Sequence, residues 1–281
     1  MPAPAIIAEQ RNYFSRFLTL AWLSVAQLVR APSHSRRAEA ARRSARHILR
    51  LSAITGIAII ALMYALDAWE IGQMPKRGSP DLWWMRILTD FGKDEYVLGT
   101  LGVLLIAIAF ISAATRGIQR SLLLGLGTRL QFLFLAVAVP VLIGEVIKWS
   151  VGRGRPFVGG DANVFSFSHF AGTTAYSSFP SGHAITAAAL AFAVSALWPK
   201  ARPAMIAYAL IILATRLVLL AHHPSDVVAG VLIGVVGVML VRYWFAARHL
   251  GFAIGRDGAI VPLAGPSLGH LKRVARGGSA P

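Results

Sequence analysis

Thr215-Arg216-Leu-Val-Leu-Leu-Ala-His222-His-Pro-Ser-Asp226 joins two apolar runs, 203–221 and 227–246. A bilayer core is crossed by roughly 20 residues of helix, so both runs read as membrane spans. Arg216 lies inside the first of them. An ionisable group at membrane depth is expensive and marks a functional site by default. Two further stretches share this character. Lys148-Trp-Ser-Val-Gly-Arg-Gly-Arg155-Pro156 ends one apolar run, and Pro180-Ser181-Gly182-His183 begins another.

Four more apolar runs, at about 51–68, 97–115, 130–149 and 184–198, bring the number of expected spans to six. The fourth span in chain order, 184–198, is short and gains a turn by starting near Ser181. The 281 residues are 56% hydrophobic and 14% charged, with a mean hydropathy of +0.61. That balance excludes an ordinary soluble domain. The expected fold is an all-α polytopic membrane protein, a bundle of about six transmembrane helices. Three parts are expected: a basic arm at 1–50, a catalytic membrane domain at 51–246 and a tail at 247–281. No cleavable signal peptide is expected, because the first apolar stretch lacks a basic leader and a small-residue cleavage pattern.

The formal charge of +16 raises the question of nucleic acid. Residues 1–50 hold nine arginines against Glu9 and Glu39. Basic residues beside a membrane segment set topology and touch anionic lipid, so no nucleic-acid partner is expected. Within the arm, Phe17–Val29 is too short to span and reads as an interfacial amphipathic helix. With the arm placed in the cytoplasm, basic residues gather in the inner connections: Arg116, Arg120 and Arg129; Lys200 and Arg202; then Arg242, Arg248, Arg256, Lys272, Arg273 and Arg276. Two of the outer connections hold the polar stretches. The positive-inside rule therefore puts the site on the periplasmic or extracellular face, with both termini cytoplasmic. Zero cysteines exclude disulfides and thiol chemistry.

The three stretches together supply what holding and attacking a phosphate requires. Ser181-Gly182 precedes a strongly helical run, so free N–H groups and the positive helix end point there. Gly182 lets the backbone approach closely, and Ser181 caps the helix or donates to a phosphate oxygen. Lys148, Arg155 and Arg216 are the cations, with Arg216 facing the bundle interior. Asp226, in the opening turn of a helix begun by Pro224, is placed to accept from one imidazole nitrogen of His222 and leave the other free as a nucleophile. His183 is the natural general acid. Around these, Glu145 reads as an ion-pair partner of Lys148, and Arg153 as a head-group cation or a solvated loop residue. His223 and His169 read as loop residues. Asp90, Lys93, Asp94 and Glu95 read as interfacial charge that could line an entrance. No acidic cluster is present to hold a metal, and no cofactor is expected.

Lys, six residues, Arg-Pro; then Pro-Ser-Gly-His; then Arg, five residues, His, three residues, Asp: this order resembles the three-part signature of the phosphatidic acid phosphatase type 2 family. The resemblance covers residues 148–226. One departure is Thr215, where the third block usually has serine. The resemblance implies a membrane lipid phosphatase. In it His222 attacks phosphorus to form a phosphohistidine, His183 protonates the leaving group and water releases phosphate. A lipid phosphotransferase would use the same residues with an acceptor alcohol in place of water. A vanadium-dependent haloperoxidase shares the anion pocket, but six apolar spans argue against that class; a non-enzymatic membrane protein would leave the site unexplained. Phosphatidic acid, phosphatidylglycerol phosphate, polyprenyl diphosphate and lipid A all suit such a site. Nothing in the sequence bears on oligomeric state.

Overall fold

The computed structural model describes residues 12–156, 158 and 163–265. Glu9 of the arm and Lys272, Arg273 and Arg276 of the tail lie outside the described residues. Nine α-helices occur among those described: α1 Tyr13–Val29, α2 Arg37–Ala65, α3 Asp67–Gln73, α4 Trp83–Asp90, α5 Asp94–Ala114, α6 Gly117–Val151, α7 Gly182–Leu197, α8 Arg202–Val218 and α9 Pro224–Ala247.

Local chemistry explains most boundaries. The Asn12 side chain accepts from the Phe14 N–H at 3.2 Å and caps α1. Prolines in the first turns of α8 and α9 cost no hydrogen bond there and preset φ for a helix. α2 begins at Arg37, ahead of the expected apolar run, because its Ala- and Arg-rich opening is itself a good helix former.

Among the described residues, five helical stretches are long and apolar enough to cross a membrane: Arg37–Ala65, Pro80–Ala114, Gly117–Val151, Pro199–Val218 and Pro224–Ala247. The expected fourth span is α7, an apolar helix of 16 residues. The fold is mostly helical, with one departure from the all-α expectation. In the tail, β1 (Phe252–Ile254) pairs antiparallel with β2 (Ile260–Pro262), Ala253 opposite Val261.

The chain forms two compact units. One draws on the described parts of 1–41, 100–132 and 242–281, the other on 42–99 and 133–241. In the first unit α1 is tied to its neighbours by polar contacts. The Gln131 amide donates to the Ser24 carbonyl at 2.9 Å, and the Trp244 indole N–H to the Leu28 carbonyl at 3.0 Å.

The second unit is organised around α7, eleven of whose sixteen residues are buried. A helix apolar on every side belongs inside a bundle. α9 lies on it backbone to backbone. A Cβ added at Gly230 would come within 2.6 Å of the Ser181 carbonyl oxygen, and one at Gly234 within 2.7 Å of that of Ile185. Small residues four apart are the usual device for close helix approach in membranes. Here the device brings the second and third turns of α9 against the first two turns of α7. α8 packs along α7 as well.

Candidate active site

The backbone between α6 and α7 sets the stage. Gly152, at φ +58°, turns the chain out of α6 in a conformation that L side chains rarely adopt. A Cβ there would also strike the Ser168 carbonyl. The next residues are laced on both sides. Gly154 N–H donates to Ser166 O (2.8 Å), Arg155 N–H to Ala175 O (2.9 Å) and Ser178 N–H to Arg153 O (3.0 Å). Arg153 and Arg155, two apart, are thereby fixed in space before any side-chain contact is counted.

Ser181 is the N-cap residue of α7, but its hydroxyl makes no capping bond. Its backbone N–H donates to the Asp226 carbonyl at 3.0 Å, joining the first turns of α7 and α9. The hydroxyl itself is buried and has no partner. His183 Nε2, Arg155 Nε and Arg216 Nε are likewise buried without partners. Unmet donors in one region are costly unless a ligand satisfies them. Lys148 reaches the same place: a Cβ at Gly182 would sit 3.4 Å from its Nζ. Glu145 forms an ion pair with Lys148 one turn away, in keeping with its sequence reading as a partner of that lysine.

His222 is 2% exposed, and its Nδ1 lies 2.7 Å from the Ser178 carbonyl oxygen. A carbonyl only accepts, so Nδ1 carries the proton and Nε2 keeps a free lone pair. Burial, then the charges of Arg216 and Arg155, hold the imidazole pKa well below its ordinary value. His222 is therefore a neutral base within electrostatic range of two arginines and His183.

Two expectations are corrected. Asp226 is not the group that orients His222. Its Oδ1 accepts from Arg153 Nη1 (2.7 Å), and its Oδ2 from the Ser178 hydroxyl (2.6 Å) and the His223 N–H (2.9 Å). The Ser178 carbonyl takes the expected place of the carboxylate, because cross-linking the α6–α7 loop to α9 leaves Asp226 engaged on both oxygens. Arg153 is neither a head-group ligand nor a solvated loop cation. It is fully buried, with Nη2 on Asp67 Oδ2 (2.8 Å), Nη1 on Ser225 Oγ (2.7 Å), and Nε and Nη2 both on the Val164 carbonyl. His223, read as a loop residue, is 1% exposed.

Arg216, 6% exposed, does face the interior, and its Nη1 donates to the Thr89 hydroxyl at 2.5 Å. The Thr215 hydroxyl turns back to the Ile212 carbonyl at 2.6 Å, so the departure from serine stays within the helix. The corner between α4 and α5 closes one side of the site. A Cβ at Gly92 would lie 2.5 Å from Ile212 Cγ2 and 3.4 Å from His183 Cδ2. Asp90 and Lys93 on this corner pair with each other at 2.8 Å. Thr89, Asp67, Ser178 and Ser225 had no signal in the sequence, since each is recruited by a partner far along the chain. Among the described residues, no three His, Cys, Asp or Glu side chains converge as metal ligands.

The family profile described as the PAP2 superfamily matches residues 129–250. Two curated relatives, each named "Lipid A 1-phosphatase", come from Rhizobium johnstonii and Rhizobium etli. Each is 39% identical over 127 residues, which is 45% of this chain and 52% and 55% of the respective relatives. The match thus spans about half the length of those proteins. No solved structure matches the chain.

Proposed function

We propose that this chain, whose residues 129–250 match the PAP2 superfamily profile, is an integral membrane lipid phosphatase that works through a phosphohistidine at His222. One observation carries the mechanism: His222 is neutral and buried, with Nδ1 committed to the Ser178 carbonyl. Its Nε2 attacks phosphorus and the ester P–O bond breaks. His183 gives its proton to the departing oxygen. Water then gives a proton back to His183 as it attacks the phosphohistidine, the P–N bond breaks, and phosphate leaves. Ser181, the Gly182 N–H at the start of α7, Lys148, Arg155 and Arg216 hold the phosphate oxygens. Charge-assisted donors in a water-poor site are worth most where the transition state is most negative.

Asp226 serves by position, not by contact with the imidazole. The chain crosses the membrane six times, with α7 as the short fourth span and α1 lying at the interface. The positive-inside distribution supports cytoplasmic termini and a periplasmic site. The names of the two Rhizobium relatives favour a lipid A-type substrate bearing a phosphate at the sugar 1-position.

The test is phosphate release by purified protein from lipid A, phosphatidic acid, phosphatidylglycerol phosphate and a polyprenyl diphosphate. Lipid A should be turned over fastest, in chelator as well as in buffer, and His222→Ala should lose both turnover and phosphoenzyme. His183→Ala should slow the reaction ~10²–10⁴-fold, as for other general acids. Near-normal rates in His222→Ala would refute the assignment. A rate that chelator abolishes and magnesium restores would refute metal independence. Release only on adding an acceptor alcohol would make the enzyme a transferase.

A further inference from the structure

Asp67 stands apart from the site in sequence, at the first turn of α3 and outside the matched residues 129–250. It is nevertheless fully buried. Its Oδ2 accepts from Arg153 Nη2 (2.8 Å) and from the Ser225 hydroxyl (2.5 Å), and its Oδ1 from the Ser225 N–H (3.0 Å). Ser225 is the second residue of α9. Asp67 thus caps α9 from another helix while neutralising Arg153. Arg153 passes the constraint to Asp226 Oδ1 at 2.7 Å, and Asp226 Oδ2 receives the Ser178 hydroxyl at 2.6 Å. Ser178 is gripped a second time through its own N–H on the Arg153 carbonyl. Its carbonyl is the group that meets His222.

We propose that Asp67 and Arg153 are positioning residues for the reaction: through Asp226 and Ser178 they fix the tautomer and direction of the His222 ring. The proposal rests on the reading of His222 as the nucleophile. Its physical basis is the cost of the arrangement. Two carboxylates and a guanidinium removed from water repay their desolvation only when every donor and acceptor is met, and here the contacts converge on one peptide group. That peptide follows a long loop, and among the described residues the Ser178 carbonyl is its hold on the imidazole. Without it the ring is free to take the other tautomer or swing away, and a misplacement of about 1 Å costs on the order of 10²-fold in rate.

The experiment is a double-mutant cycle on the full chain, reconstituted in lipid, with the substrate that the wild type turns over. Asp67→Asn and Ser178→Ala should each lower kcat by about 10–10²-fold with KM unchanged, the loss expected of misplaced reacting groups. The double variant should be no slower than the worse single one, since residues in one relay do not act independently. Multiplying losses, or a raised KM at wild-type kcat, overturn the proposal. If Asp67→Asn yields no folded protein, Arg153→Lys replaces it in the cycle, because lysine keeps the charge and loses the fork. An inactive wild type takes down the phosphatase reading and this one with it. An active wild type with independent effects takes down this one alone.

Discussion

Glu70, 4% exposed, stands near the carboxylates of Asp67 and Asp226. Burial, and then those two charges, push its pKa up from the ordinary 4.5 to about 7. The sign of the consequence is fixed. A carboxyl with a raised folded-state pKa favours folding while neutral. That contribution is whole below the ordinary value and is lost as pH rises through about 7. Wild-type thermal stability should therefore fall across this window, and Glu70→Gln should flatten the slope. Parallel pH profiles for the two proteins, measured by thermal unfolding, would show that Glu70 ionises normally. At this scale the sequence is legible only where residues sit in a short motif. Ser181, His183, Arg216 and His222 stand out in the sequence because their spacing is local. Asp67, Ser178 and Thr89 do not: Asp67 is 86 residues from Arg153, and Ser178 is 44 from His222. The tautomer-setting role read onto Asp226 failed for the same reason, since the competing acceptor comes from a distant loop.

Among the elements, α9 owes its close approach to α7 to its glycines. Gly230 and Gly234 sit where a methyl group would enter the backbone of α7. Gly234→Leu should separate the helices and draw Asp226 away from the Ser181 N–H. Phosphate release should then be lost, together with a drop in thermal unfolding midpoint of several degrees, as expected of overpacking that costs about 1–3 kcal/mol. An active, stable Gly234→Leu protein would mean that the two helices do not need this approach. Every expected apolar run lies wholly or largely within an observed helix, because hydropathy over some 20 residues is a strong local signal. The ends were less legible. The run at 130–149 lies within Gly117–Val151, since Arg120 and Arg129 interrupt the apolar pattern without interrupting a helix. The β1–β2 pair was missed because two strands of three residues carry no periodicity to read.

For the molecule as a whole, orientation in the bilayer decides which lipids the proposed phosphatase could meet. The chain has no cysteine, so single introduced cysteines report sidedness without background. One at Ser168 should react with an impermeant thiol reagent on intact cells, and one at Lys200 only after permeabilisation. The reverse pattern would turn the site toward inner-leaflet lipids.

α7 adds a consequence of its length. Sixteen residues make a helix of about 24 Å, against a hydrocarbon thickness of about 30 Å. Because α7 is enclosed by other helices, no lipid tails must shorten to match it. The Ser181 N–H on the Asp226 carbonyl keeps the start of α7 level with the start of α9, a helix of 24 residues, so the shortfall of about 6 Å falls at the other end, beyond Leu197. In the proposed six-span bundle the turn Pro199–Ala201, which follows α7, has that remaining depth to cross before α8 returns.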